Sequence, residues 1–189
     1  MIKIGILGDI GSGKSFVAKA FGYPVFNADD EVAKLYRRDK KTYLKLKGKL
    51  PEYVKSFPIK KEEILNAILS NNTNLQKIVK IVHAEIRKKM YLFIKKNKKR
   101  KIIVLDIPLL LENKINNKNN ILVFVDSKKY QIDKRLKNRK NFNMKIIKKF
   151  KKIQLPLNFK KSKADFIIKN DFTKKSIKKG INNILNQIL

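Results

Sequence analysis

The sequence predicts an α/β domain of three layers, with helices on both sides of a central parallel sheet of five strands. Two observations carry this expectation. Short apolar, largely β-branched runs stand apart along the chain at Ile2–Leu7, Pro24–Phe26, Ile102–Leu105, Ile121–Val125 and Phe166–Ile168, and runs apolar at successive positions are what strands buried on both faces require. The segments between and after them carry helical spacing, and strands that alternate with helices give a parallel sheet covered on both sides.

Each element can be justified in order. Ile2 to Leu7 leads into a glycine loop, after which Val17, Ala18 and Phe21 are spaced as on a helix, so the chain opens as strand, tight loop and helix. Pro24 to Phe26 reads as a second short strand. Asp29 and Asp30 then open another helix with acidic residues in its first turn, where the helix dipole favours them. Residues 41 to 70 are shorter helical pieces punctuated by Gly48, Pro51 and Pro58. From Leu75 to Phe93 the apolar positions Leu75, Ile78, Val79, Val82, Ile86, Met90 and Phe93 follow a period of 3.6, which is one long amphipathic helix. Further helices are expected at roughly 128–139, 144–154 and 174–188. No internal repeat or flexible linker interrupts the pattern.

Composition narrows the function. At 189 residues and 43% hydrophobic, the chain can bury a core without metal or disulfide help, as a single domain. It has no Cys, which excludes disulfides, thiolate metal sites and Cys nucleophiles, and its one His, His83, argues against a zinc cluster. No apolar run approaches a signal-peptide core or a membrane span, so a cytoplasmic protein is expected. The net charge of +32 would ordinarily point to nucleic acid or another polyanion. Here the basic residues are almost all Lys, spread over every segment and mixed with Ile and Asn as in chains drawn from A- and T-rich codons. Arg, the better fork for phosphate, occurs only at 37, 38, 87, 100, 135 and 139. Runs such as Lys95 to Lys101 are read as solvated faces, and no nucleic-acid partner is expected.

Chemistry enters at Gly8-Asp9-Ile10-Gly11-Ser12-Gly13-Lys14-Ser15, which satisfies G-x-x-x-x-G-K-[ST] without a mismatch. Four of the seven glycines fall between Gly5 and Gly13, a concentration that lets backbone N–H groups close round a phosphate ahead of a helix N-terminus. Gly8, Gly11, Ser12, Gly13, Lys14, Ser15 and the adjoining Phe16 are the expected nucleotide contacts. Lys14 would bridge the β- and γ-phosphates of ATP, and the Ser15 hydroxyl would hold Mg²⁺. Asp106 closes the apolar strand Ile102–Leu105, at the carboxyl end where ligands of an open α/β sheet sit; it either faces the loop as an acid or caps the next turn. Asp29 is read in the same way as ending the second strand, placed to meet an acceptor hydroxyl beside the γ-phosphate, with Asp30 the alternative if the turn is shifted by one residue.

These residues resemble the dephospho-CoA kinase family. Its G-x-I-G-S-G-K-S loop is residues 8 to 15, and its D-A-D-like turn is Asn27-Ala28-Asp29, with Asn for the first acid. The family's H-P followed shortly by Arg appears as His83-Ala84 with Arg87, the Pro being absent, and its D-I-P-L-L-x-E is Asp106 to Glu112. Its Q-x-x-x-R-L-x-x-R is Gln131, Arg135, Leu136 and Arg139, and its A-D-x-x-I-x-N is Ala164 to Asn170.

The resemblance implies a P-loop nucleoside-triphosphate hydrolase-like fold, with a core at 1–35, 100–138 and 164–189. It also implies a helical substrate-binding insert on the CoA side at about 36–99 and a short helical lid at about 139–160. It implies phosphoryl transfer from ATP, with Mg²⁺, to the ribose 3′-hydroxyl of dephospho-CoA by a monomer or weak homo-oligomer. Lys14, Asp29 and Arg139 would then be catalytic, and His83, Arg87 and Asp106 would meet the acceptor. The rival readings are another P-loop nucleoside or nucleotide kinase and a basic nucleic-acid-binding ATPase.

Overall fold

Strand β1 (Ile2–Gly8) runs through the middle of a parallel sheet. The computed structural model describes residues 1–112, 120–138 and 143–189. Its other strands are β2 (Val25–Asn27), β3 (Ile102–Asp106), β4 (Asn120–Asp126) and β5 (Phe166–Lys169). They stand in the order β2-β3-β1-β4-β5, every pairing parallel. Chain order reverses at β1, because β3 lies on one side of it and β4 on the other. That reversal opens a crevice at the carboxyl end of β1, where open α/β sheets hold ligands.

The chain divides into two compact units, Met1–Asn27 with Asn97–Leu189, and Ala28–Lys96. The first contains the sheet with α1 (Lys14–Ala20), α6 (Lys129–Lys137), α7 (Met144–Ile153), α8 (Leu157–Ser162) and α9 (Lys174–Ile188). Ile4 and Ile6 of β1, Ile102 and Val104 of β3, Val123 and Val125 of β4 and Ile168 of β5 form one face, closed by Val17 and Ala18 of α1 and Ile177, Ile181 and Ile184 of α9. Ile103 and Leu105, which alternate onto the other face, are buried as well, so β3 is apolar throughout because neither face meets water. Each fully buried Ile, Leu or Val contributes about 1.5–3 kcal/mol.

The second unit is helical: α2 (Ala28–Arg38), α3 (Lys40–Lys49), α4 (Lys61–Ser70) and α5 (Asn72–Lys96). Helix α5 buries Leu75, Ile78, Val82 and Ile86 on one stripe, as the 3.6-residue period required. Beside that stripe the half-buried Glu85 accepts from Lys45 Nζ of α3 at 2.7 Å and from Lys88 Nζ at 3.2 Å. The hydrogen bond from Lys45 is the main reason the Glu85 carboxyl titrates below its ordinary range. No helix among the described residues is long and apolar enough to cross a membrane.

The sequence reading missed α8, a helix of six residues that follows Pro156 and packs against β1. Its Leu-Asn-Phe start has no helical period to read. Helix α9 is begun by a local staple: Asp171 Oδ1 accepts from the Thr173 N–H at 2.9 Å, from the Thr173 hydroxyl at 2.8 Å and from the Ser176 hydroxyl. The Ser176 bond first, then those from Thr173, hold the exposed Asp171 carboxyl at about 2 against an ordinary 3.8. Because the folded value lies below the unfolded one, this contribution is complete above pH 3.8 and is lost as pH falls towards about 2. Denaturant unfolding at stepped pH is therefore expected to show a shallower stability loss across that window in Asp171→Asn than in the parent chain.

Candidate active site

The loop between β1 and α1 is shaped by positions that reject a side chain. At Gly8, a Cβ would stand 2.8 Å from both Ser12 Oγ and the Val125 carbonyl oxygen. At Gly13 the backbone has a φ of 90°, in the left-handed region, and a Cβ would stand 2.5 Å from Asn170 Nδ2. Gly11 packs beneath Leu136 of α6. The loop closes on itself through the Ser12 N–H, which donates to the Asp9 carbonyl at 3.2 Å, and through the Ile10 N–H, which donates to Asp9 Oδ1 at 2.7 Å. Lys14 arches back across it, its ammonium donating to the Asp9 carbonyl at 2.7 Å and the Gly8 carbonyl at 3.3 Å. Ser15 and Phe16 follow on the exposed side of α1.

The loop is held from outside at the fully buried Ser12. Its carbonyl accepts from Asn170 Nδ2 at 2.8 Å and from Ser127 Oγ at 2.9 Å. Asn170 in turn accepts the Phe172 N–H on Oδ1 at 2.8 Å, and Phe172 has a φ of 66°, a conformation bulky residues rarely adopt. Its ring lies beside Gly13, with the Arg135 guanidinium stacked over it at 4.3 Å from the centroid. Arg135 therefore meets an aromatic face. Ser127, Asn170, Lys128, Gln131, Asp126 and Asp171 line a cavity of about 450 Å³ next to the loop, within the size range of small-molecule sites.

At the carboxyl ends of the strands, β2 and β3 pair with Asn27 directly beside Asp106. Asn27 Nδ2 donates to Asp106 Oδ2 at 2.6 Å and stands 3.5 Å from Ser15 Oγ. A hydroxyl, an amide and a carboxylate only 3% exposed thus form one line at the mouth of the loop. The strand tip is Asn27, so the expectation that Asp29 ends the second strand is corrected: Asp29 is the second residue of α2 and exposed, and Asp30 is exposed beside it. The strand stops early because Ala28 already has helical backbone.

The remaining expected residues lie elsewhere. His83 is half-buried and Arg87 exposed, one turn apart on α5 in the helical unit. Arg139 lies outside the described residues. Sequence reasoning passed over Ser127 and Phe172, and named Asn27 only as standing for the first acid of the D-A-D-like turn. The signal for Asn27 was available: it ends a strand parallel to the one that Asp106 ends.

A model of the family described as dephospho-CoA kinase matches residues 2–176. A dephospho-CoA kinase of Wolbachia pipientis wMel is 32% identical over 190 residues, covering 98% of this chain and 97% of the relative. The chain belongs to the dephospho-CoA kinase family. Among solved structures, one from Thermus thermophilus aligns with a TM-score of 0.77 at 24% identity, covering 100% of this chain and 98% of its own. A dephospho-CoA kinase from Campylobacter jejuni gives 0.62 at 20%, covering 98% and 96%. Both likenesses show the fold, five parallel strands flanked by helices. Dephospho-CoA kinase family membership implies that the glycine loop holds a nucleoside triphosphate, ATP.

Proposed function

We propose that this chain transfers the γ-phosphoryl of ATP to the ribose 3′-hydroxyl of dephospho-CoA, the last step of coenzyme A biosynthesis. The observation that carries this reading is the line from Ser15 through Asn27 to Asp106 at the mouth of a loop that Lys14 spans. Phosphoryl transfer asks little covalent chemistry of a protein and much positioning and charge. The loop amides take the triphosphate, and the Lys14 ammonium turns from the Gly8 and Asp9 carbonyls to the β- and γ-phosphates. The nucleoside occupies the cavity beside Asn170 and Ser127, which already brace the loop.

The Ser15 hydroxyl and the Asp106 carboxylate are hard oxygen donors of the kind magnesium takes, sparingly, alongside phosphate and water. Held by these two side chains, magnesium would supply charge neutralisation on the phosphates.

Asp29 orients the 3′-hydroxyl and accepts its proton. Arg139 offsets charge on the migrating phosphoryl, and His83 and Arg87, sharing a face of α5, meet the acceptor together with Asp106. A coupled assay of ADP release is expected to show turnover that depends on added dephospho-CoA. Release that is as fast without the acceptor would overturn the reading in favour of a plain ATPase.

A further inference from the structure

Glu112 ends the D-I-P-L-L-x-E run, and the chemistry above leaves it without a task. Its Oε1 accepts from the Leu155 N–H at 3.0 Å and from Lys160 Nζ at 2.6 Å. Lys160 is 2% exposed, and a buried ammonium is tolerated only with a partner of this kind. Leu155 is the middle residue of the three that separate α7 from α8. The residue after it, Pro156, has no N–H and confines Leu155 to extended backbone, so the joint is stiff, and the Leu155 N–H ties it to Glu112.

Helix α7 is in an unusual position. It has no fully buried residue, and Ile146, Ile147 and Phe150 are only half-buried, so its packing is shallow and its ends share in fixing its placement. Along its length Lys151 Nζ comes within 3.8 Å of Asp9 Oδ2, which puts α7 over the phosphate loop.

We propose that Glu112 is a positioning residue for phosphoryl transfer, holding the joint at Leu155 so that α7 pivots over the loop from a fixed point. This rests on the kinase reading above. Lys160 supplies the charge that keeps the carboxylate in place inside the protein, and Leu155 is what the carboxylate positions. The other oxygen, Oε2, is buried with no hydrogen-bond partner among the described residues, so a glutamine amide can sit there without opposing a donor.

Two double variants separate positioning from mere stability. E112A/K160M removes both buried charges, leaving no stranded ammonium, and leaves the Leu155 N–H without its acceptor. E112Q/K160M removes the charges and keeps the acceptor. In steady-state kinetics E112A/K160M is expected to lose about ten- to a hundredfold in kcat/KM for ATP, the scale of a small misplacement of catalytic groups, while KM for dephospho-CoA stays within about twofold. E112Q/K160M should recover most of that loss. Equal kcat and KM values in the two variants, with a difference only in thermal midpoint, would overturn the proposal. If the parent chain turned over no dephospho-CoA, the kinase reading would fall by itself. Amide exchange would then decide the pivot: a non-hydrolysable ATP analogue should protect residues 143–155 in the parent and in E112Q/K160M but not in E112A/K160M, and equal protection in all three would overturn it.

Discussion

Replacing Lys14 by alanine is expected to lower kcat for dephospho-CoA-dependent ADP release by about 10²–10³-fold, the usual cost of losing one preorganised charged donor. The loop itself sets where this ammonium sits. Donation to the Asp9 carbonyl at 2.7 Å and the Gly8 carbonyl at 3.3 Å keeps it inside the ring of backbone that the triphosphate enters. Once it has turned from these carbonyls to the bound phosphates, it is in place before charge develops. Charge builds on the phosphoryl and its leaving oxygen in the transition state, so the loss should fall on kcat more than on KM for ATP. Lys14→Arg should not restore the rate, because a planar fork does not replace a compact point charge inside so small a loop. Kinetics of the three proteins under saturating dephospho-CoA decide the matter, and a Lys14→Ala kcat near that of the parent would remove the loop from the mechanism.

The strands show what was legible in the sequence and what was not. Apolar runs located all of them, and in each case the strand extends beyond the run at its carboxyl end. β1 adds Gly8, β2 adds Asn27, β3 adds Asp106, β4 adds Asp126 and β5 adds Lys169. A pattern of hydrophobicity stops at the first polar residue or glycine, even where, as at Gly8 and Asp106, the chain is still buried. The residue one step further keeps strand geometry while facing the crevice, so the signal fails at the positions that form the site. The glycine loop was legible because its chemistry is local: spacing, Lys and Ser all lie within eight residues.

Bracing of the loop was not legible. The bond from Asn170 to the Ser12 carbonyl spans 158 positions, and the one from Ser127 spans 115. Nothing in the local composition around 127 or 170 announces them; they follow from the parallel pairing of β1, β4 and β5, which brings three strand ends together. The buried Lys160 was hidden for a related reason. In a chain with 47 basic residues one more lysine in the run Phe159 to Lys163 reads as surface, and its burial against the Glu112 carboxylate at 2.6 Å distinguishes it from its neighbours. An excess of lysine thus conceals the few that have fixed partners.

Asp29→Asn is expected to lower kcat by about 10²–10⁴-fold, the range for removing a positioned proton acceptor, with KM for ATP little changed. The amide keeps the size of the side chain and can still accept a hydrogen bond from the 3′-hydroxyl, but it cannot take the proton away. Asp30→Asn is the matched control. Both carboxylates are exposed in the first turn of α2, and there each gains about 0.3–1 kcal/mol from the helix dipole. The two substitutions should therefore cost the fold similar amounts, and thermal unfolding should place their midpoints close together. Activity should separate them, because only one carboxylate can be aimed at a given hydroxyl from adjacent helical positions about 100° apart. A large kcat loss in Asp30→Asn with near-parent kcat in Asp29→Asn would assign the role to Asp30 and shift the catalytic turn by one residue. Equal, small losses in both would mean that the acceptor alcohol is deprotonated elsewhere.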